Sequence, residues 1–299
     1  MKVAITGTTG FVGGRILKNL IFNNVRCRSI ERNASGNDVI CHDLMAPFPE
    51  RAFNRLVDTD VFIHAAGNVS GAASLRHPRA TVTDNLISTF NVLELARSLP
   101  KLKKFIYIST GEAVGAVPEG VSYDETATLH PSNPYSASKA AAEELCRAYR
   151  LNFGVPVIVV RSMNLFGPGQ SKSRYVPKVI KALLRGDIIP CHVGKDGRPG
   201  SRNWLHISDF ISDLRYVAHE DNADEIYHVV GPERTNQQVI DVLAKALRIV
   251  PKVEYVVAPD SHDMRYALCS RFVPKRFDTI DGDLAATAWW YANNTEALL

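Results

Sequence analysis

The 299 residues carry 45% hydrophobic and 22% charged side chains, an ordinary globular balance, and that length holds one large nucleotide-binding sheet plus a smaller lobe. A net charge of +4 spread over both halves makes nucleic acid an unexpected partner, and five cysteines (Cys27, Cys41, Cys146, Cys191, Cys269) with no CxxC pair argue against a disulfide framework or a metal site. Val3-Ala4-Ile5 follows Met1-Lys2 at once and no apolar run nears the roughly 20 residues of a membrane span. Neither secretion nor a membrane is expected; a reducing cytoplasm is.

In chain order, short β-branched runs predict strands over 3–6, 25–30, 39–41, 61–64, 105–109 and 157–160. Between them, amphipathic spacing predicts helices over 12–22, 80–99 and 136–153, the last beginning after the breaker pair Asn133-Pro134. Strands alternating with helices mean an α/β fold, a Rossmann-type doubly wound parallel sheet with right-handed crossovers. After Asn164 the pattern loosens into Gly, Pro and charged loops, with a strand over 226–230 and a helix over 236–247. This divides the chain into a dinucleotide-binding domain over 1–163, rejoined by a segment near 204–220, and a smaller C-terminal α/β substrate lobe over 164–299.

The first strand runs into Gly7-Thr8-Thr9-Gly10-Phe11-Val12-Gly13, a GxxGxxG turn opening a helix. Glycines there let backbone approach a pyrophosphate at a helix N-terminus, although tight strand-to-helix turns also use them for steric reasons alone. The second strand ends at Glu31, eighteen residues beyond Gly13, where a carboxylate can accept from both adenosine ribose hydroxyls and so favours NAD. Arg32 follows and could instead clasp a 2′-phosphate, the NADP alternative. Asp43-Leu44 closes the third strand at the adenine edge, and Ala65-Ala66-Gly67 after the fourth leaves room for the cofactor.

Tyr135 and Lys139 stand four apart at the start of a helix, hence one turn apart on one face. A nearby ammonium favours phenolate and makes the tyrosine a usable base. The fifth strand ends in Ser109-Thr110, bringing a hydroxyl to the carboxyl edge of the sheet, where α/β ligands bind.

Glycine turn, Glu31, Asp43, Ser109-Thr110 and Tyr135-Lys139, in that order, resemble the nucleotide-sugar epimerase/dehydratase family of extended short-chain dehydrogenases over nearly the whole chain. Asp84-Asn85 through Glu94 looks like that family's helix carrying an asparagine into the core, which adds Asn85 to the cofactor set. The segment 161–169 resembles its RxxNxxGPG stretch and 202–209 its RDxxHVxD stretch. The resemblance implies a sugar-nucleotide diphosphate substrate, UDP- or dTDP-hexose, touched by Asn164 and Arg202, with Arg265 a weaker candidate, and a homodimer pairing the helices over 80–99 and 136–153.

It also implies transient oxidation at the sugar C4 with Tyr135 as base, and Ser109-Thr110-Gly111-Glu112-Ala113-Val114-Gly115 reads both ways on the fate of the keto-sugar. Without a gap it resembles the STDEVYG of the family's 4,6-dehydratases, with Glu112 as the C5 base and Gly111 where their acid stands; STSE in related dehydratases and decarboxylases keeps elimination open. With a one-residue deletion it resembles the SSGGAVYG of some 4-epimerases. Gly111 tilts the expectation to a 4-epimerase, with a dehydratase or decarboxylase using Glu112, a keto-substrate reductase and a non-catalytic cofactor sensor as alternatives.

Overall fold

A computed structural model describes residues 1–219, 225–259, 263–274 and 278–299. They form two compact units: Met1–Gly115, Thr128–Ser162 and Ile211–His228 make the first, and Ala116–Ala127, Met163–Phe210 and Val229–Leu299 the second.

The first unit is built on β1 (Lys2–Thr6), β2 (Arg26–Glu31), β3 (Val39–Cys41), β4 (Val61–His64), β5 (Lys104–Thr110), β6 (Val157–Ser162) and β7 (Ile226–Val229), in the spatial order β7-β6-β5-β4-β1-β2-β3. Strands β1 to β6 pair in parallel throughout. A parallel sheet is covered on both faces, so its strands read as continuous apolar runs; Phe62 and Phe105, fully buried on adjacent strands, stack at 5.6 Å. The chain turns one way from β1 to β2 and the other way to β4, which opens a ligand crevice at the carboxyl ends of β1 and β4.

The covering helices include α1 (Phe11–Phe22), α2 (Glu50–Leu56), α3 (Gly71–Arg76), α4 (Pro78–Ala96) and α5 (Pro134–Phe153). Helix α5 has explicit start and stop signals. Asn133 caps it in a reciprocal box with Ser136, Pro134 opens it, and Gly154 closes it in the left-handed region at φ 68°. Leu93, Leu95, Ala142, Cys146 and Tyr149 bury the faces of α4 and α5 in the core beneath β5 and β6.

The strand expected over 226–230 in the substrate lobe is instead β7, the edge of the main sheet, and the rejoining segment expected near 204–220 has its counterpart in 211–228. Its apolar run suits any half-buried sheet, so composition alone does not say which sheet it joins. The excursion of 116–127 into the second unit likewise leaves no compositional mark. Besides the expected helix Asn236–Leu247, the second unit holds the helices Tyr175–Arg185 and Ile280–Asn293, a parallel pair Ile188–Val193 with Lys252–Val257, and strands of only two or three residues such as Ser201–Asn203. Among the described residues no helix is long and apolar enough to cross a membrane.

Candidate active site

The GxxGxxG turn is shaped by backbone crowding. Gly7 sits at φ 77°, and a Cβ there would come within 2.6 Å of the Ala66 nitrogen and 2.8 Å of the Ala65 carbonyl carbon. A Cβ on Gly13 would lie 2.3 Å from the Gly7 oxygen. Gly10 is the N-cap of α1 and supplies no side-chain cap, so the first-turn N–H groups are available to an anion, with Phe11 and Val12 beginning the helix. Such a cradle could hold a pyrophosphate, and the predicted Ala65-Ala66 segment lies against it.

Glu31 ends β2 nearly buried, and its Oε1 accepts from the Thr8 N–H at 2.7 Å and from the Thr8 hydroxyl. The turn thus anchors one carboxylate oxygen where a ribose is expected, a fit to a dinucleotide with free ribose hydroxyls. Arg32 is exposed. Asp43 closes a local turn, accepting from the Met45 N–H at 3.0 Å, while Leu44 packs on the core and its carbonyl accepts from Asn91 at 2.8 Å. Below the cradle, His64 bridges Thr6 (2.8 Å) and Thr89 (3.2 Å), and Thr6 also accepts from the Ala66 N–H at 3.1 Å. Burial pushes this imidazole down to about 3, so it is neutral. Buried Asn85 ties the loop after Gly67 to α5, accepting from the Asn68 N–H at 2.7 Å and donating to Ser138 Oγ at 2.8 Å.

Helix α5 delivers Tyr135 and Lys139, both buried, beside the end of β5. Lys139 Nζ donates to the Ile108 carbonyl at 2.6 Å and lies 4.2 Å from the Tyr107 ring centroid. Burial lowers its pKa to about 8, with the Glu143 carboxylate pulling upward. Thr110 is buried at the last position of β5, where its hydroxyl oxygen caps the short turn Gly111–Val114 by accepting from the Glu112 N–H at 3.2 Å. That turn is held down because a Cβ on Gly115 would meet the His130 oxygen at 2.2 Å. Glu112 is half-buried, and its Oε2 accepts from Asn133, the N-cap of α5, at 3.4 Å. The carboxylate, Thr110 and Tyr135 therefore converge from a short turn, a strand end and a helix start within one unit.

Sequence motifs passed over one buried charge cluster. Glu143 on α5 accepts from Ser109 and from Arg161 of β6 through a fork, 3.0 Å from Nε and 2.8 Å from Nη2, and Arg161 Nη1 lies 3.4 Å from His228 Nε2 on β7. A glutamate four residues after Lys139, and the arginine that opens the RxxNxxGPG stretch one residue before the end of an otherwise apolar strand, were the available signals.

The candidates in the second unit are engaged otherwise. Asn164 takes φ 23°, a left-handed conformation rare outside glycine. Arg202, nearly buried, donates to the carbonyls of Ser201 and Met264 at 2.7 Å and of Asp263 at 2.5 Å, and stacks 4.6 Å from the Tyr266 ring. Arg265 grips Glu233 with two bonds of 2.7 Å and donates to the Val121 carbonyl at 2.7 Å.

Two curated relatives, the dTDP-glucose 4,6-dehydratases of Salmonella typhimurium and Escherichia coli K12, are each 29% identical over 99% of this chain and 94% of their own length. Among solved structures, the dTDP-glucose 4,6-dehydratase DesIV of Streptomyces venezuelae with NAD bound superposes with a TM-score of 0.87 at 25% identity, over 99% of this chain and 98% of that one. The UDP-glucose 4-epimerase of Thermus thermophilus, at 23% identity, 98% and 99% coverage and a TM-score of 0.84, shares the fold. The model of the NAD dependent epimerase/dehydratase family matches residues 3–245, and the chain, with its glycine cradle, Glu31 and Tyr135-Lys139 pair in place, belongs to that family.

Proposed function

We propose that the protein is a nucleotide-sugar 4,6-dehydratase, oxidising C4 of a dTDP- or UDP-hexose and eliminating water across C5 and C6. The observation that carries this reading is the Glu112 carboxylate at the N-cap of the helix that bears Tyr135. The 4-epimerase preference drawn from Gly111 gives way to it, because an epimerase has no use for that carboxylate and the Salmonella and Escherichia relatives carry dehydratase names.

Gly7, Gly10, Gly13 and Glu31 would hold NAD, which when bound accepts hydride from the substrate carbon and returns it. Tyr135, as phenolate favoured by the Lys139 charge, takes the proton of the C4 hydroxyl. Thr110 donates a hydrogen bond to the same oxygen. The resulting ketone acidifies the C5 hydrogen, and Glu112 takes that proton and passes it to the departing C6 oxygen, which leaves as water; C6 then receives the hydride taken from C4, C5 takes a proton from solvent through Glu112, and Tyr135 gives its proton back to solvent. One carboxylate thus does both transfers, as Gly111 requires. Asn164, Arg202 and Arg265 are the proposed diphosphate contacts. The exposed Ile87 and Phe90 of α4 and Leu151 and Phe153 of α5 suit a homodimer through these helices, and a monomer by light scattering at micromolar concentration would sink that part.

The deciding experiment incubates purified protein with NAD and a panel of UDP-, dTDP-, GDP- and CDP-hexoses. Loss of water with a new C6 methyl signal in the proton NMR spectrum is expected. An unchanged mass with an inverted C4 signal would make it an epimerase, and stoichiometric consumption of reduced cofactor a reductase.

A further inference from the structure

Four ionisable or polar side chains, Ser109, Glu143, Arg161 and His228, meet inside the first unit at 8% exposure or less. None is among the residues predicted to hold substrate or cofactor. Yet burying an ion pair carries a desolvation cost that apolar packing avoids, so its placement calls for a reason beyond stability.

The placement is specific. Glu143 follows Lys139 by one turn on α5, and Ser109 immediately precedes Thr110 on β5. Arg161 reaches Glu143 from β6 and is itself met by His228 from β7. One carboxylate therefore joins the element carrying Tyr135 and Lys139 to the element carrying Thr110. Around Lys139 stand the Ile108 carbonyl and Tyr107 ring from β5, neutral His64 from β4, and Tyr135, Glu143 and Cys146 from α5. Among these described groups Glu143 brings the carboxylate, and Arg161 holds that carboxylate in its fork. Burial opposes the ammonium, and an anion one turn away supports it.

We propose that Glu143, clasped by Arg161 and Ser109, is a positioning residue of the redox centre: it keeps the Lys139 ammonium charged and seats the Thr110 end of β5 against α5. This rests on the reading of Tyr135 and Lys139 as the redox pair, but its test needs no turnover.

The full-length chain, saturated with NAD and labelled with ¹³C-lysine, is titrated by following the Lys139 Cε shift, assigned by its disappearance in Lys139→Met. Glu143→Gln should lower the Lys139 midpoint by about one pH unit, since it removes the anion and leaves Arg161 repelling. Arg161→Gln should raise it, since Glu143 then faces Lys139 alone. Glu143→Asp, which keeps the carboxylate, should hold the wild-type midpoint within a few tenths of a unit. Opposite shifts are the expected signature. Should Glu143→Gln fail to fold, the rise in Arg161→Gln and the retention in Glu143→Asp still decide. Midpoints that do not move, or that move the same way in both neutralised variants, would overturn the proposal and leave the cluster as packing. Failure of the dehydratase reading would appear separately, as absence of product with wild-type protein and an intact titration. Where product forms, the alkaline limb of kcat should fall with the Lys139 midpoint while KM stays unchanged.

Discussion

Helix α5 and the arginine-bearing strands of the second unit both present polar side chains from short signatures, but the two regions engage them differently. On α5, Tyr135 and Lys139 are fixed by a regular element whose cap, register and neighbours come from adjacent sequence, and each group beside them has a role in orienting or charging them. In the second unit, Arg202 gives three bonds to carbonyls and Arg265 is forked onto Glu233, so donors that a motif assigns to a diphosphate are already directed at protein atoms. Spacing on a helix determines geometry, because 3.6 residues make a turn wherever the helix lies. Spacing in a loop determines only order along the chain.

The comparison breaks most easily at Tyr135. Tyr135→Phe should lower turnover by roughly 10³- to 10⁴-fold while leaving NAD affinity by calorimetry within about twofold, because the phenol hydroxyl is lost and the ring packing is kept. An active variant would remove α5 from the chemistry altogether. Next comes Glu112→Gln, expected to cost roughly 10²- to 10³-fold in dehydration while C4 oxidation persists. The discriminating measurement is solvent deuterium at C5 of recovered material: wild type incorporates it and the variant does not. Equal incorporation by both would take the C5 proton transfer away from Glu112.

A smaller effect, on binding rather than chemistry, sharpens the contrast at the cradle. Gly13→Ala places a methyl group 2.3 Å from the Gly7 oxygen, a backbone atom that cannot swing aside. Overpacking of this kind costs about 1–3 kcal/mol, or about five- to 150-fold in affinity where it distorts the NAD site alone. Calorimetric titration with NAD should show the weakening, and Gly282→Ala, exposed in the first turn of the helix Ile280–Asn293 with nothing within 4 Å of an added Cβ, should leave NAD binding untouched. Equal losses at both glycines would mean the turn does not cradle the cofactor.

Legibility follows the same division. β3, β4 and the helix Asn236–Leu247 match their expected limits to the residue, since apolar period and capping pairs such as Thr235 with Gln238 are local signals. Glu31 and Thr110 stand where strand ends must put them. The helix Tyr175–Arg185 was readable in the spacing of Val176, Val179, Ile180 and Leu183, but it lies between loops rich in Gly, Ser and charge that mask it. The three-residue strands Ser201–Asn203 and Glu233–Thr235 are shorter than any period can announce, and pairing across thirty residues decides them. Glu143 and Arg161 escaped because sequence places charges on surfaces by default, and only the packed structure shows that these two neutralise one another inside.

The second unit is where the contrast can reverse. If Arg202 reaches a diphosphate when substrate binds, it must share or release donors now given to protein carbonyls, and Arg202→Lys would then lose the forked geometry while keeping the charge. KM should rise about tenfold with kcat and thermal midpoint little changed. If its role is to tie Ser201 to the 263–264 segment, the same substitution lowers the thermal midpoint and leaves KM alone, because an ammonium offers one nitrogen where the guanidinium reaches these carbonyls from two. Arg265→Ala strands a carboxylate that also accepts from Ser201, so beside any rise in KM it should lower stability, by about 1–2 kcal/mol after allowance for partial solvent screening. Measuring both constants and both melting points separates a substrate clamp from a structural one, since only the clamp moves KM with the fold intact.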